Sequence, residues 1–314
     1  MKEERNTVRV FAPATSANFI CGYDVLGVAL HEPGDEVILK RSEKSGVVIT
    51  KIIGDNGLLP YNTDLNTVGA CIKMIINHLQ LTDFGVEIEL HKKMPVGSGL
   101  GSSAASTIAG LFAINQLLGE PLTKQELLPF ALKGEELACG HGHADNVAPS
   151  LLGGITLIRS YNPLEVINLP VPSELCCSVI FPHVEVPTRA ARQILRTKVE
   201  LRNAVSQWGN IAGLITGLFT EDYDLISRSL VDNLIEPTRS ILIPEFDEMR
   251  KIALDLGALG FGISGSGPSV VAFTKGIKKT EEITKSIQDH LEIKNIGSNG
   301  YSSSINQEGA KLLS

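Results

Sequence analysis

The chain has little that would tie it to a membrane, a nucleic acid or an oxidising compartment. No apolar run reaches the ~20 residues that a bilayer-spanning helix needs, and the opening Met1-Lys2-Glu3-Glu4-Arg5 is too charged for a secretory leader. Basic residues are outnumbered, 28 Lys and Arg against 35 Asp and Glu, for a net charge of −7. That balance argues against nucleic-acid and anionic-membrane partners, so any phosphate must be held by local donors. Cys21, Cys71, Cys139, Cys176 and Cys177 are odd in number and scattered, with no C-x-x-C pair. Reduced thiols and a cytoplasmic location are expected. No G-x-S-x-G elbow occurs, which leaves a serine hydrolase without support.

What is present is an ordinary globular composition, 43% apolar and 20% charged, in 314 residues. That length predicts two domains, divided here into 1–169 and 170–314. The centre of the chain is Pro95-Val-Gly-Ser-Gly-Leu-Gly-Ser-Ser-Ala-Ala-Ser106. Gly97, Gly99 and Gly101 leave a backbone free to take positive φ and approach a ligand. Ser102 and Ser103 then open an apolar run to Leu118, stopped by Gly119, which predicts a helix capped by hydroxyls at its start and by glycine at its end. A glycine turn feeding a helix N-terminus is an anion site, and polyphosphate is the expected occupant. The P-loop alternative lacks its Lys, and the dinucleotide fingerprint fails where Ser102 stands for the third glycine.

Other stretches offer single candidates. Asp24 follows Gly22-Tyr23 and borders an apolar run; it is either a solvated turn residue or a carboxylate set to hold a cation. Thr123-Lys-Gln-Glu126 is a capping box, and the helix it starts carries Glu135 and Glu136 near its C-terminal end. The helix dipole disfavours carboxylates there, so either Mg²⁺ binding or a plain solvated face accounts for them. His141, His143 and Asp145 alternate as metal ligands on one strand face would, but the flanking glycines and the lack of a second His cluster favour a polar loop lining a pocket. Thr188 and Arg192 are four apart on a helix, and Arg239 precedes another. Two arginines from separate elements on one carboxylate form a specific clamp. Gly257-Ala-Leu-Gly-Phe-Gly-Ile-Ser-Gly-Ser-Gly-Pro-Ser269 is a second glycine-rich loop. Strands are expected at 8–11, 36–40, 46–50, 86–90, 155–158, 176–181 and 270–273, with helices at 65–79, 201–219, 244–256 and 281–291.

Three elements stand in order: Thr15-Ser-Ala-Asn18, the 95–106 turn, and the 262–269 loop. Together they resemble the GHMP small-molecule kinase superfamily over essentially the whole chain. Gly22-Tyr-Asp24, His143-Ala-Asp-Asn-Val-Ala-Pro149 and Glu236-Pro-Thr-Arg239 are similar to the branch that phosphorylates the side-chain hydroxyl of L-homoserine with ATP. The resemblance implies two α+β domains, the first like the second domain of ribosomal protein S5 and the C-terminal one ferredoxin-like, with the site between them. It implies that Pro95, Val96, Gly97, Ser98, Gly99, Leu100, Gly101, Ser102, Ser103, Ala104 and Ala105 wrap the phosphates. Ser103 and Glu135 match the Mg²⁺ positions; Asn18, Asp24, His143, Asp145, Asn146, Thr188, Arg192 and Arg239 match those lining the amino-acid site. Asn146, Glu135 and Ser103 are the expected catalytic set. Asp24 suits the ammonium, the two arginines the carboxylate and Asn146 the hydroxyl. Several relatives carry an Asp base near Asn146, and an amide takes no proton; a loose phosphoryl-transfer transition state lets alignment and charge neutralisation carry the rate. Asn62 and Asn66 lie in a region able to face the base. Phe19-Ile20-Cys21 departs from the smaller stretch of the family, and His141 is an added histidine. The expected partners are L-homoserine, ATP and a second copy in a homodimer. A mevalonate, shikimate or sugar kinase of the same superfamily is the nearest alternative, then a silent nucleotide sensor on the same fold, then a zinc hydrolase using His141, His143 and Asp145.

Overall fold

The computed structural model describes residues 5–140, 142–186 and 188–314, without the side chains of 138, 139, 188 and 189. Along the chain come β1 (Thr7–Ala17), β2 (Leu26–Ser42), β3 (Gly46–Ile53), α1 (Thr67–His78), β4 (Gly85–His91), α2 (Ser102–Leu117), α3 (Lys124–Cys139), α4 (Ala144–Leu152), β5 (Ile155–Tyr161) and β6 (Leu164–Leu169). Then follow β7 (Leu175–Pro182), α5 (Thr188–Gln193), α6 (Leu201–Thr220), α7 (Tyr223–Ser229), α8 (Glu236–Arg239), α9 (Phe246–Asp255), β8 (Gly260–Ile263), β9 (Val270–Lys275), α10 (Ile277–Ile293), β10 (Ser298–Ser304) and β11 (Lys311–Leu312).

The first sheet runs β11-β1-β2-β4-β3, with β5 on β2 and β6 on β5. The second is β10-β7-β9-β8, antiparallel throughout. Numbered within its own unit, that order is 4-1-3-2 with helices crossing over between strands, the split βαβ arrangement of a ferredoxin-like domain. The final strand returns to the first sheet, where Val10 pairs with Leu312. One continuous core joins the two units, since Cys177, Val179, Val271 and Phe273 of the second sheet pack with the core of the first.

At the centre lies α2, apolar or small all round and almost wholly buried, as an interior helix should be. Its end is as expected: Gly119 takes φ 72°, its N–H bonds Gln116 O, and Glu120 N–H bonds Asn115 O, a Schellman closure. Its start corrects the expectation of hydroxyl caps. The N-cap is Gly101 in the left-handed region with no side-chain cap, so Ser102 and Ser103 are already helical and their hydroxyls are not spent on the first turn. The capping box at Thr123 and Glu126 is present.

Residues 12–17, beyond the strand expected at 8–11, continue β1. Their small side chains pack under neighbouring helices, Ser150 Oγ donating to Pro13 O at 3.0 Å where the pairing with β2 shifts. The strands β6 and β8 and the helix α7 have no counterpart in the sequence reading. In β8 the glycines of the second rich loop hide a short buried strand.

Candidate active site

A cavity of about 430 Å³ opens between the glycine turn on one side and the 18–24 loop, the start of α4, α5 and α8 on the other. At the first end Gly97, Gly99 and Gly101 all have positive φ, 74°, 80° and 65°. A Cβ on Gly99 would lie 2.8 Å from both Ser264 O and Gly267 O, and one on Gly101 would lie 2.1 Å from Thr15 Oγ1. The second glycine-rich loop is therefore a brace for the first. Ser264 Oγ donates to Gly99 O at 2.9 Å, and Ser269 donates to Ser98 O through Oγ at 2.6 Å and through its N–H at 3.2 Å. With those carbonyls tied back, the turn presents amides and the positive end of α2 to the cavity. Val96, Gly97, Ser98, Gly99, Gly101, Ser102, Ser103 and Ala104 line it, whereas Pro95, Leu100 and Ala105 stand behind.

Beneath the turn is a buried ion pair that the sequence reading missed. Lys92 Nζ bonds Asp35, the carbonyl of Ser102 at 2.8 Å and Ser106 Oγ at 2.7 Å, while Asp35 Oδ1 accepts from Lys93 N–H at 2.9 Å. Both partners are buried in full. The signal was there: Lys92 continues the inward alternation Val86, Ile88, Leu90, and Asp35 begins the inward alternation Val37, Leu39. A charge on the core face of a strand needs a partner.

Glu135, late in α3, is buried, and its Oε1 has no hydrogen-bond partner among the described residues. Burial pushes its carboxyl up to about 7, against a hydrogen bond from Ser103 and the charge of Lys92. An orphaned carboxylate oxygen beside a serine hydroxyl at an anion site is the donor set that suits Mg²⁺, which prefers few protein oxygens and completes its shell with water and phosphate. Glu136 is exposed. Asn66 lines the cavity and caps α1, accepting from Val68 N–H at 3.1 Å and donating to Pro60 O at 3.0 Å. Leu59, Pro60, Leu65, Val96 and Leu137 give that end an apolar rim, of which only Val96 was named in the sequence reading.

At the second end, charged groups converge from four elements. Arg192 Nη2 meets both Asp24 oxygens at 2.9 and 2.8 Å, with His143 Nδ1 at 3.5 Å from Arg192 and 3.9 Å from Asp24. Arg239 is buried and tied by backbone, Nε to Ala191 O at 3.0 Å and Nη1 to Gly265 O at 3.2 Å. Tyr23, which the sequence reading passed over, lies between the two arginines, its ring centroid 5.1 Å from Arg239 Cζ and 5.9 Å from Arg192 Cζ. Asn18 spends both ends of its amide on the loop, accepting from Asp24 N–H at 3.1 Å and donating to Gly265 O at 2.8 Å. Asn146 Oδ1 accepts from Thr15 Oγ1 at 2.8 Å, so its NH₂ is the group it can turn to a ligand. Asp145 is buried with Oδ1 unpartnered; burial, then the charge of Asp24, push its carboxyl up to about 8. The side chain of Thr188 and all of His141 lie outside the described residues. Of the alternating His141, His143 and Asp145, His143 is the N-cap of α4 and Asp145 sits in its first turn, so neither of these two lies on a strand. Among the described residues no group of three potential ligands gathers.

The departure at 19–21 has a structural purpose. Asn18, Phe19 and Ile20 take positive φ in succession, 74°, 42° and 62°, a conformation costly for bulky side chains. Phe19 is anchored against Phe273 of β9, ring centroids 4.3 Å apart. Gln207 of α6, also unforeseen, donates to Cys21 O at 2.6 Å and to Asp232 Oδ1 at 3.1 Å, and Asp232 in turn accepts from the N–H groups that start α8. One buried amide thus fixes the Asp24 loop and the base of the Arg239 helix together.

Comparison with known proteins agrees with this geometry. Residues 66–154 match the family model described as GHMP kinases N terminal domain, and residues 214–293 match GHMP kinases C terminal. A homoserine kinase of Chloroherpeton thalassium is 46% identical, over 96% of this chain and 98% of its own. One of Methanococcus vannielii is 39% identical over 85% and 88%. The crystal structure of homoserine kinase from Cytophaga hutchinsonii superposes with a TM-score of 0.97 at 52% identity, covering 100% of this chain and 99% of that one. Mevalonate kinase from L. major shares the fold at 16% identity, with a TM-score of 0.72 over 97% of this chain and 99% of that one. The chain belongs to the homoserine kinase family of the GHMP kinases.

Proposed function

We propose that this chain transfers the γ-phosphoryl group of ATP to the side-chain hydroxyl of L-homoserine, giving O-phospho-L-homoserine on the way to threonine. The observation that carries the reading is the convergence in one cavity of a main-chain anion cradle and a cluster of two arginines, two carboxylates, a histidine and an amide. A zwitterionic alcohol offers each of those groups a partner. Its carboxylate meets Arg239 and Arg192, its ammonium meets Asp24 and Asp145, and its hydroxyl reaches the NH₂ of Asn146 beside Gly101. Mevalonate and shikimate lack the ammonium and would bring no cation to Asp24 or to the unpartnered Oδ1 of Asp145. The adenine falls at the apolar rim, and the phosphates lie along 96–104.

Ser103 and Glu135 are the residues to hold Mg²⁺, which would neutralise charge on the phosphates. Asn146 orients the hydroxyl oxygen and accepts no proton. Catalysis then rests on alignment and on the electrostatics of the turn, as a loose phosphoryl-transfer transition state allows. The division at residue 169 and a cytoplasmic place of work belong to the same reading; the free buried thiols Cys21, Cys71, Cys176 and Cys177 accord with the second.

An ADP-release assay across L-homoserine, mevalonate, shikimate and galactose tests the function, with turnover expected on homoserine alone. Glu135→Gln tests the metal assignment. It should lower Mg²⁺-dependent turnover by ~10²-fold or more through lost charge stabilisation. Near-normal activity across a magnesium titration would remove Glu135 from the site.

A further inference from the structure

The backbone of Asp24 lies in the left-handed region, φ 58°. An aspartate takes that conformation at a cost, so contacts must hold it there. Some are local: Asn18 Oδ1 accepts from Asp24 N–H at 3.1 Å, and Gly22 O accepts from Val25 N–H at 3.0 Å and from Leu26 N–H at 2.9 Å. These close the turn on itself without fixing where it points. Phe19 and Gln207 anchor the start of the loop, and its end is anchored from β5. Ile158 N–H donates to Val25 O at 2.7 Å, a main-chain bond that most residues at 158 would make. At the end of the same strand Tyr161 Oη donates to Asp24 O at 2.7 Å, a bond that exists only because tyrosine stands there.

Tyr161 is 39% exposed and packs in neither apolar core, so filling space is not its task. Partial burial, then the charges of Asp145 and Asp24, push its phenol above the ordinary range, and the hydroxyl stays protonated and able to donate. The backbone N–H of Ala144, first residue of α4, acts on the same oxygen in the opposite sense. The hydroxyl thus lies where the Asp24 loop meets the helix that carries Asp145 and Asn146.

We propose that Tyr161 is a positioning residue of the amino-acid end: by holding the Asp24 carbonyl it aims the Asp24 carboxylate at the ammonium of the acceptor. The inference deepens the homoserine reading and rests on it. Tyr161 does not line the cavity, so it acts on the ligand through Asp24. Without the hydroxyl, the peptide between Asp24 and Val25 loses its outer hold. The ion pair with Arg192, which meets both Asp24 oxygens, then decides where the carboxylate lies.

Tyr161→Phe removes the hydroxyl and keeps the ring, and acceptors that differ by one charge read the effect. The kcat/KM for L-homoserine and for 3-aminopropan-1-ol, which both carry an ammonium, should fall about 3- to 10-fold, the worth of one hydrogen bond. That for 4-hydroxybutanoate, which carries none, and the ATP KM should stay within about twofold of the parent values. In an Asp24→Asn background no carboxylate remains to be aimed, and Tyr161→Phe should cost nothing further. Equal losses on all three acceptors, no loss on any, or additive losses in the double variant would overturn the proposal and leave the functional reading standing. A parent chain that does not favour L-homoserine over 4-hydroxybutanoate would overturn both.

Discussion

At the phosphate end of the cavity the ligand-facing surface is main chain, shaped by glycines and tied back by serine hydroxyls from a second loop. At the amino-acid end it is side chain, with Asp24, His143, Asp145, Asn146, Arg192 and Arg239 brought from separate elements by long-range contacts. The first end tolerates almost no added volume at Gly99 and Gly101, because atoms crowd the places where a Cβ would go, although Gly97 is open. The second depends on where each charge is held; of its supports Tyr23 and Asn18 line the cavity, and Gln207 stands behind it. In the proposed function, backbone amides read a polyphosphate that any kinase shares, and side-chain charges select the acceptor.

Substitutions can break this division or sharpen it. The largest effect is expected from Gly101→Ala. Its Cβ would enter the Thr15–Asn146 hydrogen bond from a left-handed backbone position, and kcat/KM should fall by ~10²-fold or more with both substrates affected. A selective homoserine defect would contradict a main-chain role for the turn. Arg239→Ala should raise the homoserine KM about 10- to 100-fold, the worth of charge-assisted hydrogen bonds, and leave the ATP KM nearly unchanged. Equal shifts in both would dissolve the distinction between the two ends. Gln207→Ala should raise the homoserine KM by less than about 10-fold, since it removes a support and no contact. A kcat loss with an unchanged homoserine KM would remove it from the positioning network.

The smallest effect is on stability. The folded chain holds a proton on Asp145 up to about pH 8 that the unfolded chain releases at the ordinary carboxylate pKa. This group favours folding fully below that ordinary value, and its contribution is lost as pH rises through about 8. The thermal midpoint should therefore decline between about pH 5 and pH 8, and Asp145→Asn should flatten the decline by a few degrees. An identical slope in the variant would show Asp145 ionised in the fold.

The same division decided what could be read from the sequence. The glycine turn was legible because a backbone site is written in consecutive residues, and the helix behind it ended at Gly119 as its composition required. The arginine clamp was visible only as isolated arginines, and its residues were placed through resemblance. Nothing local says that Arg239 reaches Gly265 O or that Tyr23 fits between two guanidinium groups. Lys92 and Asp35 were legible in principle from their inward register and were overlooked. Gln207 was not, because a polar residue on a long helix looks the same whether it faces solvent or holds a strained loop. The start of α2 was misjudged because serines at a helix start suggest caps, whereas a left-handed glycine took that position and freed the hydroxyls for the site.

The central claim is that the side-chain end of the cavity reads both charges of a zwitterionic alcohol. The most direct test compares kcat/KM for L-homoserine with 4-hydroxybutanoate, which lacks the ammonium, and 3-aminopropan-1-ol, which lacks the carboxylate. Each should be poorer by ~10²-fold or more at an unchanged ATP KM, because one withholds the cation that Asp24 and Asp145 would meet and the other the anion that Arg192 and Arg239 would meet. Either analogue phosphorylated within about tenfold of homoserine would contradict the account.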